Sequence, residues 1–300
     1  DQVRSDKEGD FLTSPEVSKY FGKIIRNWIH SESNLKNIIE IGSGTGSLIE
    51  QIGIKEITAV ELSSTAREEL IKKGIDTHTT IDELTTKTSD LIFGNEILDN
   101  IPCSIGLYKD EVWYEKAVLL EETSLAYDLK PMRNEELDWV NKNNIVPNED
   151  YEFEIQVNID KFLNSVIKKI NPGKILLFDY GYEQKNRDKR MYSSLLRTYK
   201  NHHLSVDPID DPGNIDITYD INFSSISSEL KYLGYDVTLK LQRDFLLDNG
   251  FNIFFDELQE KYIAAEGIEK LKINSELNGM KAIVDSNGLG GFYCLIAEKL

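Results

Sequence analysis

The chain has 300 residues, with 34 Lys and Arg against 52 Asp and Glu, for a formal net charge of −18 at pH 7. So acidic a surface repels phosphate backbones and anionic lipid, which removes nucleic acid as a first choice of partner. With 40% hydrophobic and 29% charged residues, the composition is that of a globular protein and excludes disordered and collagen-like classes. The longest apolar runs, such as Ile175-Leu176-Leu177-Phe178, fall far short of the about 20 residues a bilayer demands, so no membrane insertion is expected. Cys103 and Cys294 lie far apart, outside any CxxC or Cys/His spacing. Neither a disulfide framework nor a zinc site is indicated, and a reducing compartment fits best. No basic, apolar signal region opens the chain, and its first residue, Asp1, is compatible with a removed targeting segment.

In chain order, Thr13-Ser14-Pro15-Glu16 reads as a helix start, with Thr13 or Ser14 as N-cap and proline in the first turn. Val17, Phe21, Ile24, Ile25 and Trp28 then recur at helical spacing and predict one helix with a single apolar face. Short apolar runs at 38–41 and 57–60, ended by Gly42 and Glu61, read as buried parallel strands one and two. Helices are expected at 48–52 and 64–73, the second closed by Gly74. Strand three falls at 75–79 and strand four at 90–93. This alternation is that of βαβ units. A hairpin is predicted from 112–120 and 124–129 about a Glu121-Glu122-Thr123 turn, with Trp113-Tyr114 as its packing. A solvated loop at 141–150, a helix at 159–170 and strand five at 175–180 follow. Residues 183–223 read as irregular, with a helix from 224 or 225 to 233 and strands six and seven at 235–241 and 292–298. Residues 245–280 read as mostly helical. One domain over 1–300, with insertions at about 105–158, 183–223 and 245–280, is the economical organisation.

The strongest local signal is Glu40-Ile41-Gly42-Ser43-Gly44-Thr45-Gly46, where strand one turns into a helix. Glycines there let the backbone approach a ligand at the carboxyl edge of the sheet. A dinucleotide fingerprint would need glycine at position 47, which is Ser47. The E-x-G-x-G-x-G form instead suits S-adenosylmethionine, with Glu40, Gly42, Gly44 and Gly46 as binding residues. Glu61 ends strand two, 19 residues after Gly42, where a carboxylate can accept from both ribose hydroxyls; the bland reading is an acid capping the next helix. Strand four runs into Gly94-Asn95-Glu96-Ile97-Leu98-Asp99. From there Glu96 and Asp99 can serve the reactive end of the cofactor, with Asn95 beside it; the alternative is a helix cap and a solvated acid. Two carboxylates suit a cationic acceptor, because a guanidinium presents a rigid fork of donors that carboxylates hold. Asp10, Thr13 and Ser14 are expected to order over the methionine end of the cofactor, where backbone donors meet a carboxylate; a plain capping box is the alternative. His30, His78, His202 and His203 show no metal spacing, and Cys103, after a proline, reads as a quiet thiol.

Together these motifs resemble the MidA family of class I methyltransferases, which includes a mitochondrial assembly factor for respiratory complex I. Gly9-Asp10-Phe11-Leu12-Thr13-Ser14-Pro15-Glu16 resembles its G-D-F-x-T-S-P-E signature, and Asn95-Glu96 with Asp99 and Pro102 its N-E-x-x-D-x-x-P motif. Trp113 to Lys116 resembles W-x-E-R with Lys for Arg, and Asp179-Tyr180-Gly181-Tyr182 resembles D-Y-G-Y. Arg197, Tyr199 and His202 fit R-x-Y-x-x-H. Pro212-Gly213 and Asp216-Ile217-Thr218 resemble P-G-x-x-D-I-T, after which the family's His and Asp are here Asp220 and Asn222. Gln242, Phe245-Leu246 and 290–293 extend the likeness to the C-terminus. The resemblance implies a Rossmann-like α/β fold with a seven-stranded, mostly parallel sheet bearing helical and hairpin insertions. It further implies methylation of the ω-nitrogens of arginine in a partner protein, such as a respiratory complex subunit, in the matrix or, for a bacterial chain, in the cytoplasm. Methylation of another side chain or a small molecule, or SAM binding without catalysis in assembly, stays open at this point.

S-adenosylmethionine and S-adenosylhomocysteine are therefore expected to bind and NAD not. Glu61→Ala removes a charge-assisted hydrogen bond, a loss of roughly 10- to 150-fold in affinity. Calorimetry giving an unchanged affinity for the variant would remove Glu61 from the site.

Overall fold

The computed structural model describes residues 12–32, 35–122, 124–147, 149–189, 196–200, 203–204 and 207–299. Asp10 and His202 lie outside them. The chain divides into two compact units, the first from Asp1–Ile97, Ser165–Tyr180 and Leu230–Leu300 and the second from Leu98–Asn164 and Gly181–Glu229. The insertions expected at 105–158 and 183–223 fall in the second unit, and that at 245–280 in the first.

The first unit is built on a seven-stranded sheet in the order Asp236–Leu241, Tyr293–Lys299, Ile170–Asp179, Ser89–Asn95, Ile38–Ile41, Ile57–Val60, Thr77–His78. Tyr293–Lys299 runs antiparallel to both of its neighbours; the pairings across Ile170–Asp179 to Thr77–His78 are all parallel. Ile38, Ile39 and Ile41, with Leu91, Ile92 and Phe93, are buried without alternation, as strands covered on both faces must be. Pairing aligns their carboxyl ends: Ile41 stands opposite Val60 on one side and Gly94 on the other. Backbone bonds carry this edge into the loops, from Gly42 N–H to Val60 O at 2.8 Å and from Glu96 N–H to Phe178 O at 2.8 Å.

Helix Tyr20–Ser31 buries Phe21, Ile24, Ile25, Trp28 and Ile29. Phe178 is the hub of its packing, its ring centroid 5.2 Å from both Phe21 and Phe245. Helices Phe251–Ala264 and Gly267–Val284 add Leu258, Met280 and Ile283 to the same core. No helix among the described residues is long and apolar enough to cross a membrane.

The second unit holds a four-stranded antiparallel sheet in the order Ser124–Pro131, Val112–Glu121, Ser104–Lys109, Tyr151–Ile155. A separate three-stranded antiparallel sheet has the order His203–Leu204, Leu196–Lys200, Asp216–Tyr219. A small core of Met132, Trp139, Val140, Phe153 and Ile155 lies beneath the first sheet. Arg187 stacks its guanidinium 4.3 Å from the Tyr151 ring and 4.5 Å from that of Phe153. Gln156 ties neighbouring chain together, donating to Asp220 O at 2.9 Å and accepting from Asn222 N–H at 3.0 Å.

Several local expectations change. The first predicted helix is two, Ser14–Val17 and Tyr20–Ser31, because Ser18 adopts extended backbone at φ −150° and its hydroxyl accepts the Tyr20 N–H, the competition that serine offers a helix. Strand three shrinks to Thr77–His78 at the sheet edge. The helix expected at 159–170 is Val157–Ile167, and strand five begins at Ile170. Its Pro172-Gly173 sits at a register shift opposite Ser89 and Leu91, the position a strand allows proline; a Cβ on Gly173 would come within 2.4 Å of Asp90 O. Strands Ser104–Lys109 and Tyr151–Ile155 and helix Asn134–Lys142 are additions, the last leading into the loop expected at 141–150, and short strands cross the region read as irregular.

Phe178→Ala should remove the hub between two rings and cost about 3–5 kcal/mol. Chemical denaturation that finds less than about 1 kcal/mol would show that the core does not depend on this residue.

Candidate functional site

The glycine loop follows the first strand directly. Gly42, Gly44 and Gly46 all take left-handed backbone, at φ 69°, 51° and 86°, and a Cβ on Gly42 would meet the Ile97 side chain at 2.3 Å. Glycine at 42 is thus required twice, by conformation and by space. The loop and the fourth strand's end line one narrow cleft within the first unit, together with the start of helix Ser14–Val17. Of the expected residues, Glu40, Gly42, Gly44, Asn95, Glu96 and Thr13 line it.

Glu40 is only 2% exposed and its Oε2 has no hydrogen-bond partner. Burial pushes its carboxyl well above the usual carboxylate range, the Glu61 charge adds to this, and the Ser43 hydroxyl opposes it. Asn95 Oδ1, buried on the same cleft, is likewise unpartnered, while its amide donates to Glu96 Oε1 at 2.9 Å. Two buried acceptors therefore want donors, and an ammonium carries three N–H groups and no acceptor. An amino-acid end, as S-adenosylmethionine has, meets that demand, so the residues present fit the cofactor.

Glu96 holds a left-handed backbone at φ 53°, a strain of about 1–3 kcal/mol that persists only where surroundings impose it. Its Oε1 also accepts the Ser14 N–H at 3.3 Å. Buried Ser14 bonds in turn to Gln242 through side chains at 3.2 Å, so Ser14 reaches the cleft through Glu96. Thr13 forms the capping box with Glu16, whose carboxylate takes the Thr13 N–H at 3.0 Å. Gln51, which no sequence signal marked, donates to Pro15 O at 2.6 Å and holds this segment down. Glu61 turns toward the glycine loop: Oε2 accepts Gly44 N–H and Oε1 accepts Ser63 N–H, both at 2.8 Å. Gly46 sets the start of helix Ser47–Ile52 as its N-cap. Asp99 belongs to the second unit, in a turn to which the Tyr219 hydroxyl is bound, 3.2 Å from Leu98 O and 2.5 Å from Ile101 O. Cys103 has its thiol pushed up to about 12, by burial first and by Glu154 second, which leaves it protonated and unreactive.

Residues 22–238 match the model of the family described as "Putative S-adenosyl-L-methionine-dependent methyltransferase". The chain belongs to this family. It is a SAM-dependent methyltransferase, and S-adenosylmethionine is its cofactor. The crystal structure of a COG1565 superfamily member from Burkholderia thailandensis, bound to S-adenosyl-homocysteine, superposes with a TM-score of 0.85 at 21% identity, over 99% of this chain and 82% of that one. The fold is accordingly the α/β class I methyltransferase fold, a mixed seven-stranded sheet with insertions. Among relatives, the protein arginine methyltransferase NDUFAF7 homolog of Caenorhabditis elegans, mitochondrial, is 25% identical over 83% of this chain and 67% of its own length. The homolog of the same name from Drosophila melanogaster is 24% identical over 73% of this chain and 60% of its own length.

The methyltransferase's buried acid yields a test with a defined sign. A carboxyl raised in the folded state adds stability below its unfolded value and loses it as pH rises through the folded one. Without cofactor, Glu40→Gln should therefore melt higher than the parent by a margin that widens as pH climbs above the ordinary value of 4.5. The same variant should lose cofactor affinity. A margin independent of pH would mean that Glu40 is not held protonated by burial.

Proposed function

We propose that this methyltransferase modifies the ω-nitrogens of arginine in a partner protein. The observation that carries the reading is Glu96, a carboxylate held at a strained strand end on the wall of the cleft by the Ser14 N–H and the Asn95 amide. Relatives named as protein arginine methyltransferases support it. For the mitochondrial members of the family the sequence resembles, the resemblance implies a subunit of respiratory complex I as the acceptor.

Bound at Glu40 and Asn95, S-adenosylmethionine supplies a methyl group already activated on a sulfonium. The protein's part is then to hold the nucleophile and manage its proton. A guanidinium stays protonated in water, and its donors match a fixed carboxylate. Transfer to nitrogen would release the sulfur as a neutral thioether, and Glu96 would accept the proton that the nitrogen gives up. Asp99 is the second carboxylate of this reading, as an anchor for acceptor charge. Glu61 would take the ribose hydroxyls with acceptor capacity left beyond its two backbone donors. Thr13, on the wall of the cleft, would lie at the methionine end. Residues 1–300 act as one methyltransferase domain in this reading. A net charge of −18 speeds the encounter with a basic partner, and added salt slows it.

Glu96→Gln keeps shape and removes charge. It should bind S-adenosylmethionine nearly as the parent does, yet lose on the order of 10² in turnover, the scale of an acid–base group. The assay is methyl incorporation from labelled cofactor into lysate proteins, with peptide mapping of the product. A methyl group mapped to lysine, to a nucleotide or to a small metabolite would sink the arginine assignment.

A further inference from the structure

Within the second unit lies a cavity of about 1190 Å³, lined only by residues of that unit. Pockets for small molecules span about 300–1,000 Å³, so its size favours a stretch of polymer over a metabolite. Hairpin Val112–Glu121 and Ser124–Pro131 contributes Val118 and Leu125 to the lining, and the sheet containing Leu196–Lys200 and Asp216–Tyr219 contributes Ile217 and Tyr219. Val118 and Ile217 are 50% and 45% exposed, apolar surface that solvated loops do not explain.

The charged lining is unbalanced. Asp99, Glu115, Glu152 and Asp207 line the cavity against Lys116 and Arg197, with Glu115 also paired to Arg133 at 3.2 Å. Arg197, 6% exposed, is neutralised by Asp220 at 2.6 Å. Lys116 fills a defined slot: its ammonium stands 4.4 Å from the centroid of the Tyr127 ring and 3.2 Å from Glu152 Oε1. The Tyr127 hydroxyl is itself bonded to Asp207. Aromatic face plus carboxylate is a cation-binding arrangement, and here the chain shows its chemistry with its own lysine.

We propose that this cavity docks an extended, basic segment of the acceptor protein, whose cationic side chains enter the slot now held by Lys116. The inference rests on the reading of a protein acceptor given above. Apolar lining residues take the uncharged side chains between the cations, and the acidic excess sets the sign of the partner. Lys116 competes with the incoming charge, so its removal should strengthen docking, whereas loss of a carboxylate should weaken it.

The experiment measures fluorescence anisotropy of two short labelled peptides, one alternating Lys or Arg with Leu, the other with Glu at the basic positions. The basic peptide should bind and the acidic one not. Glu115→Gln with Glu152→Gln should weaken binding about tenfold, the scale of a charge-assisted contact. Lys116→Met should tighten it several-fold. Glu257→Gln with Glu260→Gln, on an exposed face of helix Phe251–Ala264, removes the same charge elsewhere and should leave affinity within about twofold. Melting curves check that each variant folds. Equal weakening by both double variants would reduce the effect to net charge and overturn the proposal. So would an unchanged affinity in Lys116→Met, or saturable binding of spermidine with no binding of either peptide. Because the readout needs neither cofactor nor turnover, it can fail while product mapping still finds methylarginine, and can succeed if mapping does not.

Discussion

Parallel pairing of Ile38–Ile41 with strands on both sides is the constraint on which the first unit depends. With Ile41 level with Val60 and with Gly94, three chains leave the sheet at one height. The glycine loop, Glu61 and Asn95-Glu96 must therefore emerge along a single edge. Gly44 N–H then reaches Glu61, and Glu96 N–H reaches Phe178 O. A slip of one residue in either pairing would turn Glu40 to the other face of the sheet and take its carboxylate off the cleft. The isoleucines of these strands do more than fill a core, because their burial sets the register that assembles the site.

Placing Glu40 in that core has a free-energy cost that the apo protein bears. Buried carboxylates resist ionisation, and an acceptor without a donor forfeits the hydration it had when unfolded. In the function proposed above a cationic ligand group would reverse that cost: the same desolvation that raises the carboxyl would make a bound ammonium worth more than it would be in water. Glu96 shows the same logic in backbone form. Its left-handed conformation is held by bonds to Ser14 and Phe178, from segments distant in sequence, which lets a strand end present a charged side chain without relaxing.

The second unit uses different physics. Beside buried Leu163, Ile221, Phe223 and Ile226 it holds stacked and bonded side chains: Arg187 on Tyr151 and Phe153, Gln156 on Asp220 and Asn222, Tyr219 on the turn carrying Asp99. Asp220 and Asn222, which depart from the motif the sequence resembles, have structural partners. Asp220 pairs with Arg197, and Asn222 caps helix Phe223–Tyr232 through the N–H groups of Ser224 and Ser225. Two positions that sequence comparison would read as lost function are absorbed into local structure.

What the sequence by itself determined is what short-range chemistry encodes. Continuous apolar runs specified buried strands, Gly42 specified a turn that glycine fits by conformation and by space, and Ser47 in place of glycine separated one cofactor class from another. Glu40, Asn95 and Glu96 were legible because they adjoin those strand ends. Tertiary structure alone decided which atoms meet. That Glu61 turns to Gly44, that Ser14 acts through Glu96 and Gln242, and that Lys116 lies between Tyr127 and Glu152 all depend on contacts across tens or hundreds of residues. Periodicity cannot carry such information, since it reports which face a residue occupies and not what stands opposite. Where a Pro-Gly pair fits a bulge in a buried strand, as at 172–173, the winning term came from neighbouring chain that no local window contains; where a single serine breaks a helix, as at Ser18, it was a local bond from the Tyr20 N–H to the serine hydroxyl, which apolar periodicity does not register.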